Sequence, residues 1–420
     1  MGVQRTLTLL ATSTPQKRNR VRILFYGQSI TEQDWWKRVV EDLRRRFPHA
    51  DIEAENRAIG GFPAQRLIRP AEHDLYPFYP DLLIFHVYGS DKEYEEIIRQ
   101  TRTRTAAEVL MQKDHLTRWP PEVIDEQQDK GAWWDDRMNH ETLPRIAKTY
   151  QCGLADIRGG WMDYLRAHRL QPQALLSDQV HLNDHGNYLM AELIKRYLVY
   201  RPELPRTAWE RLARTVPIDS RTRWSQGRLS IPFEGNRVDL LPDPAAKLPV
   251  GVKILIDGRP PTSLEGVVTF TRPEPRPWSP LALVRVDHAA PLLPEQWVLT
   301  IRSINAAGDR WEYDVAGSVT GPDGAGVSDK PFTSRSGRVK IDPGDFFRIG
   351  KVEPGYTIRW EARSAALDQY TPPAGLDPAS ENAATVAQGF PNGKHTLTLI
   401  AEDGKRPTLR AVRFYRPPFP

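Results

Sequence analysis

The hydrophobic pattern of this chain changes once, near Pro202, and that change limits the folds open to it. Before it, short apolar runs alternate with amphipathic segments. VRILFYG (21–27), the run around 51–56, DLLIFHVYG (81–89), AAEVLMQK (106–113) and GLADIRG (153–159) read as strands. Between them, residues 34–47 predict a helix with Trp36, Val39, Val40, Leu43 and Phe47 on one face. KEYEEIIRQTRTRT, NHETLPRIAKTY and HGNYLMAELIKRYLVY predict further helices. Strand and helix in alternation imply an α/β layer, a parallel sheet covered on both faces. After Pro202, TAWERLARTV reads as one connecting helix. From Trp224 onward, short strands alternate apolar and polar residues between Gly, Pro, Asn and Asp turns, the mark of an antiparallel all-β sandwich. The expected organisation is an α/β domain over 20–203, a helical linker over 204–223 and a β-sandwich over 224–420. Residues 316–345, rich in Gly, Ser, Asp and Pro, read as a long loop insertion.

Composition narrows the classes. The formal net charge of +5 is spread over many arginines, with no basic stripe interleaved with aromatics, so a nucleic-acid partner is not expected. No apolar run approaches the roughly 20 residues of a membrane span, so no membrane partner is expected. The pattern is that of a soluble protein and does not choose between cytoplasm and export; the oligomeric state is open. Cys152 is the single cysteine, which excludes an internal disulfide, and its surroundings predict a buried structural thiol. Asp114, His115 and His140 lack compact metal-ligand spacing, so no metal is expected.

Four segments carry chemistry. GQSIT sets Ser29 at the end of the first strand, where open α/β sheets gather their sites. ENRAIGGF supplies Asn56, Gly60 and Gly61, and a glycine lets a backbone N–H approach a reacting carbonyl. Gly89-Ser90-Asp91 ends the third strand. Asp178 and His181, three apart in LLSDQVHLNDHGN, allow a carboxylate to hold an imidazole while its other nitrogen faces a serine. Trp35, Trp36, Trp133 and Trp134 read as core, and His185 and Asp184 as the start of a helix.

In this order the segments resemble the SGNH (GDSL-like) hydrolase superfamily over residues 20 to 200. GQSIT matches its first block with Gln28 in place of aspartate, Gly61 its second, and DQVHLN its Asp-x-x-His block. The resemblance implies a flavodoxin-like parallel-sheet domain, a Ser29–His181–Asp178 triad, and an oxyanion hole formed by Ser29, Gly61 and Ser90. Ser90 stands where the family carries an asparagine. Gln28, Gly60, His86, Asp91, Asp114 and His115 are candidate substrate-binding residues. The β half resembles, more loosely, jelly-roll modules of carbohydrate esterases, through FEGNRVDLL, VKILIDGRP and NGKHTLTLIAED. The expected function is removal of acetyl or other small acyl groups from a carbohydrate, without a cofactor. Alternatives are a lipid or thioester hydrolase on the same triad, another glycan-cleaving reaction, and a non-catalytic glycan-binding protein. Removing residues after about 205 is expected to spare hydrolysis of a small ester.

Overall fold

A five-stranded parallel sheet organises the first half of the computed structural model, which describes residues 2–219, 222, 224–245, 250–273, 280–401 and 407–420. Its strands are β1 (Arg20–Gly27), β2 (Asp51–Asn56), β3 (Leu82–His86), β4 (Glu108–Gln112) and β5 (Gly153–Ala155), in the order β2-β1-β3-β4-β5. β1, β3 and β4 are apolar on both faces because helices cover both sides. One face packs against α1 (Gln4–Ala11), α3 (Trp35–Arg46), α9 (Ile157–Ala167) and α10 (Asp184–Lys195). The other packs against α4 (Ala64–Leu67), α5 (Ala71–Asp74), α6 (Asp91–Arg104) and α8 (Leu143–Thr149). Two more helices, α2 (Ser29–Glu32) and α7 (Lys130–Arg137), lie in the connections after β1 and β4. Reversal of strand order on either side of β1 puts a switch point beside Gly27, where such sheets open a crevice at the C-terminal edge.

Local readings need small revisions. Trp35, not Trp36, is the fully buried indole of α3; Trp36, Trp133 and Trp134 are half-buried. GLADIRG is a strand only to Ala155, because the Asp156 side chain accepts from Gly159 N–H and starts α9. The helix around 138–149 opens with a π turn, Met138–Thr142.

The second half is antiparallel. A six-stranded sheet has the order β18 (Gln369–Tyr370), β8 (Val252–Ile256), β19 (Ala384–Ala401), β7 (Arg228–Pro242), β20 (Leu409–Tyr415) and β6 (Ala213–Pro217). A five-stranded sheet has the order β13 (Gly321–Val327), β12 (Trp311–Gly317), β11 (Glu295–Ile304), β17 (Thr357–Ser364) and β9 (Val268–Phe270). Two ribbons, β10 (Leu281–Leu283) with β16 (Phe346–Arg348) and β14 (Phe332–Thr333) with β15 (Lys340–Ile341), complete it. The two large sheets gather separate apolar clusters, around Val238, Leu240 and Leu399 and around Trp297, Tyr313 and Trp360. The strand expected at 395–403 is present to Ala401; Glu402 and Asp403 lie outside the described residues.

Two expectations are corrected. The connecting helix at 207–216 is replaced by 3-10 turns at Arg206–Ala208 and Glu210–Leu212 and then by β6. Trp209 and Leu212 bury against Tyr79, Ala106 and Tyr415, and β6 pairs with β20, so tertiary pairing outweighs helix propensity. The supposed loop at 316–345 holds the end of β12 and all of β13, β14 and β15. Glycine-rich β13 pairs along β12, and a Cβ at Gly326 would stand 2.5 Å from the Tyr313 ring. The glycines there make room for an aromatic neighbour instead of marking a turn.

The halves share an extensive contact. Phe347 packs edge-on against Phe62 with ring centroids 5.2 Å apart, and Arg66 lies over the same Phe347 ring. Arg69 pairs with Asp345 at 2.5 Å, Arg272 with Asp74 at 3.0 Å, and Tyr79 Oη donates to Asn236 at 2.7 Å. Ala282 and Val284 join the apolar cluster of α4, α5 and α6.

Candidate active site

β1 and β3 converge so closely at their C-terminal ends that a Cβ on Gly27 would fall 2.0 Å from the His86 carbonyl oxygen. Only glycine fits there, and the chain turns at once into α2. The Gln28 side chain caps that helix by accepting from Ile30 N–H at 3.1 Å. Ser29 thus stands at the helix N-terminus, at the sheet's open edge. Asn56, at the end of β2, ties this turn to the next loop: its Nδ2 donates to Thr31 O at 2.7 Å and its Oδ1 accepts from Ala58 N–H. Beyond it, Gly61 is exposed at φ +74°.

The loop before α10 brings the remaining groups. His181 Nε2 lies 2.9 Å from Ser29 Oγ, and His181 Nδ1 lies 2.7 Å from Asp178 Oδ2. Asp178 Oδ1 accepts the backbone N–H groups of Val180 and His181, both at 2.7 Å. Those two backbone donors and the His181 ring hold the Asp178 carboxyl down at about 2. An ionised Asp178 accepts a hydrogen bond from His181 Nδ1–H, which turns Nε2 toward the Ser29 hydroxyl as the acceptor. This is the geometry of a nucleophile, its base and the base's orienting group.

Three further residues fix that loop. Gln33 grips the Leu182 backbone from both sides, donating to its carbonyl at 2.8 Å and accepting from its N–H at 3.0 Å. His115 donates from Nε2 to Val180 O at 2.8 Å. Burial lowers its imidazole to about 4, so it is neutral. Asn183 caps α10 through Gly186 N–H, the role considered for Asp184, while His185 bonds Tyr164 Oη. Gln33 lies two residues beyond GQSIT; that nearness to the serine turn is its one signal in the sequence.

The other candidates are placed as follows. The Ser90 hydroxyl donates to Glu93, and Ser90 N–H donates to Gln65 Oε1 at 3.1 Å. Asp91 pairs with Arg137 at 2.5 Å. Gly60 is buried beside Glu32, whose carboxyl is raised by burial and accepts the Gly60 N–H. His86 and His115 are 4% and 6% exposed, beneath the site, not on its open surface. Asp114 contacts His86 and Asn139. His140 pairs with Asp136, and among the described residues no group of three or more His, Cys, Asp or Glu is placed to hold a metal. Cys152 is half-buried, with its thiol pushed up to about 12 by burial. No described helix is long and apolar enough to cross a membrane.

No protein-family model matches the chain, and no curated protein matches it. Among solved structures, similar ones include Axe2, an acetylxylan esterase from Geobacillus stearothermophilus, 19% identical, covering 45% of this chain and 98% of that chain with a TM-score of 0.38. The acetyl xylan esterase AlAXEase is 23% identical, covering 43% of this chain and 100% of that chain, with a TM-score of 0.35. LAE5, an alpha/beta hydrolase enzyme from the metagenome of Lake Arreo, Spain, is 17% identical, covering 44% of this chain and 98% of that chain, with a TM-score of 0.36. The first half of this chain is a flavodoxin-like α/β domain with a β2-β1-β3-β4-β5 parallel sheet, the GQSIT turn after β1 and the Asp-x-x-His loop before α10.

Proposed function

We propose that the chain is a serine esterase of the SGNH kind that removes acetyl or similarly small acyl groups from a carbohydrate. The observation that carries this reading is the unbroken run from Ser29 Oγ through His181 to Asp178, at 2.9 Å and 2.7 Å. Ser29 attacks the ester carbonyl and His181 Nε2 takes its proton. Asp178 steadies the imidazolium, and the backbone N–H groups of Ser29 and Gly61 receive the oxyanion. As the intermediate collapses and the ester C–O bond breaks, His181 gives that proton to the departing sugar oxygen, and the acyl group stays on Ser29. A water, deprotonated by the same His181, cleaves the acyl-enzyme to release the acid.

The preference for a hydrophilic substrate rests on openness. The side chains of His181 and Asp178 are 41% and 55% exposed, which suits an ester on the surface of a large polar substrate better than a fatty acyl chain that needs an apolar tunnel. Contact of the β half with the residue after Gly61, through Phe347 and Phe62, supports a part for that half in shaping the site.

The test is labelling with a fluorophosphonate, peptide mapping, and acetate release from an acetylated oligosaccharide. Expected are a label on Ser29 and loss of turnover by several orders of magnitude in Ser29→Ala. Ser29→Ala turnover within a few-fold of the parent overturns the reading. Activity on long-chain esters alone moves it to the lipid alternative.

A further inference from the structure

Behind Ser29 stands a second imidazole–carboxylate pair that the proposed chemistry does not use. Asp114 Oδ1 lies 2.7 Å from His86 Nε2, and His86 Nδ1 lies 3.3 Å from Gln28 Nε2. Gln28 Oε1 in turn accepts from Ser29 Oγ at 2.8 Å and from Ile30 N–H at 3.1 Å. The chain of contacts continues inward: Asn139 donates to Asp114 Oδ2 at 3.0 Å and accepts from Asp114 N–H at 2.8 Å, and Asn139 also reaches Asp135, the partner of Arg158. Side chains from the turn after β1, from β3, from the loop after β4 and from the π turn thus converge on the back of one hydroxyl.

Donor and acceptor rules fix the state of every member. An amide nitrogen only donates, so His86 Nδ1 must accept, and the His86 proton must sit on Nε2. Asp114 enforces that tautomer. Burial alone would raise its carboxyl, but the hydrogen bonds from His86 and the Asn139 amide hold it below the ordinary carboxylate range. With His86 so fixed, the Gln28 amide has one allowed orientation, oxygen toward Ser29. A flipped amide would set its NH2 against Ile30 N–H, donor against donor. The single Ser29 hydroxyl proton therefore has two alternative acceptors, Gln28 Oε1 and His181 Nε2, and swinging from the first to the second leaves the oxygen where it is, in reach of the base.

We propose that His86 and Asp114 are positioning residues, a second His–Asp pair that acts through Gln28 to set where the Ser29 hydroxyl lies. The proposal rests on Ser29 being the nucleophile, so the experiment first maps the fluorophosphonate label in the unaltered chain. A label elsewhere overturns both readings; a label on Ser29 leaves this one to be decided by rates. His86→Leu is expected to lower the labelling rate and kcat for nitrophenyl acetate by about tenfold or more, with KM within about twofold. His86→Asn, which keeps an acceptor where Nδ1 stood, is expected to recover most of the loss. Gln28→Ala combined with His86→Leu should be no worse than Gln28→Ala alone, because the effect passes through the amide. Wild-type labelling in His86→Leu overturns the proposal and leaves Ser29 in place. Additive losses in the double variant overturn it as well, since they give His86 a route that bypasses Gln28. Circular dichroism checks folding first. If His86→Leu does not fold, Asp114→Leu takes its place, with the same loss expected and the same wild-type labelling rate as the overturning result.

Discussion

Gln33 offers a sharp test of how the base is held. Replacing it with Met keeps length and flexibility but removes both groups that grip Leu182. The Leu182 carbonyl retains a long contact to Asn187 Nδ2 at 3.4 Å, whereas its N–H loses its partner in a buried position. An orphaned buried N–H costs about 1–3 kcal/mol, which lowers the ratio of ordered to open forms of the 177–182 loop by roughly fivefold to somewhat over a hundredfold. His181 rides on that loop, so kcat for nitrophenyl acetate should fall while KM changes little, because small-ester binding does not depend on the loop being closed. Hydrogen exchange at the Leu182 amide should accelerate, with exchange in β1 and β3 unchanged. Wild-type kcat in a folded Gln33→Met protein would show that the loop is placed by its other contacts and would refute the reasoning.

Ser90→Ala should leave acetyl-ester turnover within a few-fold, because its hydroxyl is engaged by Glu93; a loss of about a hundredfold or more would restore Ser90 as an oxyanion donor. His115 is held to about 4 in the folded protein, against an ordinary value of 6.5, so the unfolded chain binds its proton first and stability drops as pH falls from 6.5 toward 4. The loss is on the order of 3 kcal/mol, and His115→Gln, which can still donate to Val180 O, should flatten that limb in thermal melts taken from pH 7 to 4; an unchanged limb would count against it. Cutting after residue 205 should not give a well-folded esterase, contrary to the expectation from sequence, because it uncovers Phe62, Tyr79 and Ala106 and removes the partners of Asp74 and Arg69. A monodisperse fragment with cooperative melting would refute this.

Much of this was readable in advance for definable reasons. β1, β3 and β4 declare themselves because strands buried on both faces are continuously apolar, and the order of serine turn, glycine block and Asp-x-x-His loop survives as linear spacing. The back of the site did not, because His86, Asp114 and Asn139 meet only through the sheet order and the π turn. Read singly, His86 and Asp114 looked like pocket residues. Ser90 illustrates another limit: its position matches a motif, but Glu93, one helical turn away, takes its hydroxyl. Strands β6 and β13 were missed because backbone pairing with β20 and β12 decides them, not their side chains.

The cluster of Tyr79, Ala106, Trp209, Leu212 and Tyr415 has a consequence for biosynthesis. Tyr415 lies in β20, made long after the parallel sheet has left the ribosome, and Arg237, stacked on both Tyr79 and Tyr415, comes between them in time. During translation the α/β half must therefore wait with an aromatic seam uncovered, and folding cannot finish one half at a time. Nascent chains halted before β20 should bind chaperones through the 76–106 region and release them once that strand emerges.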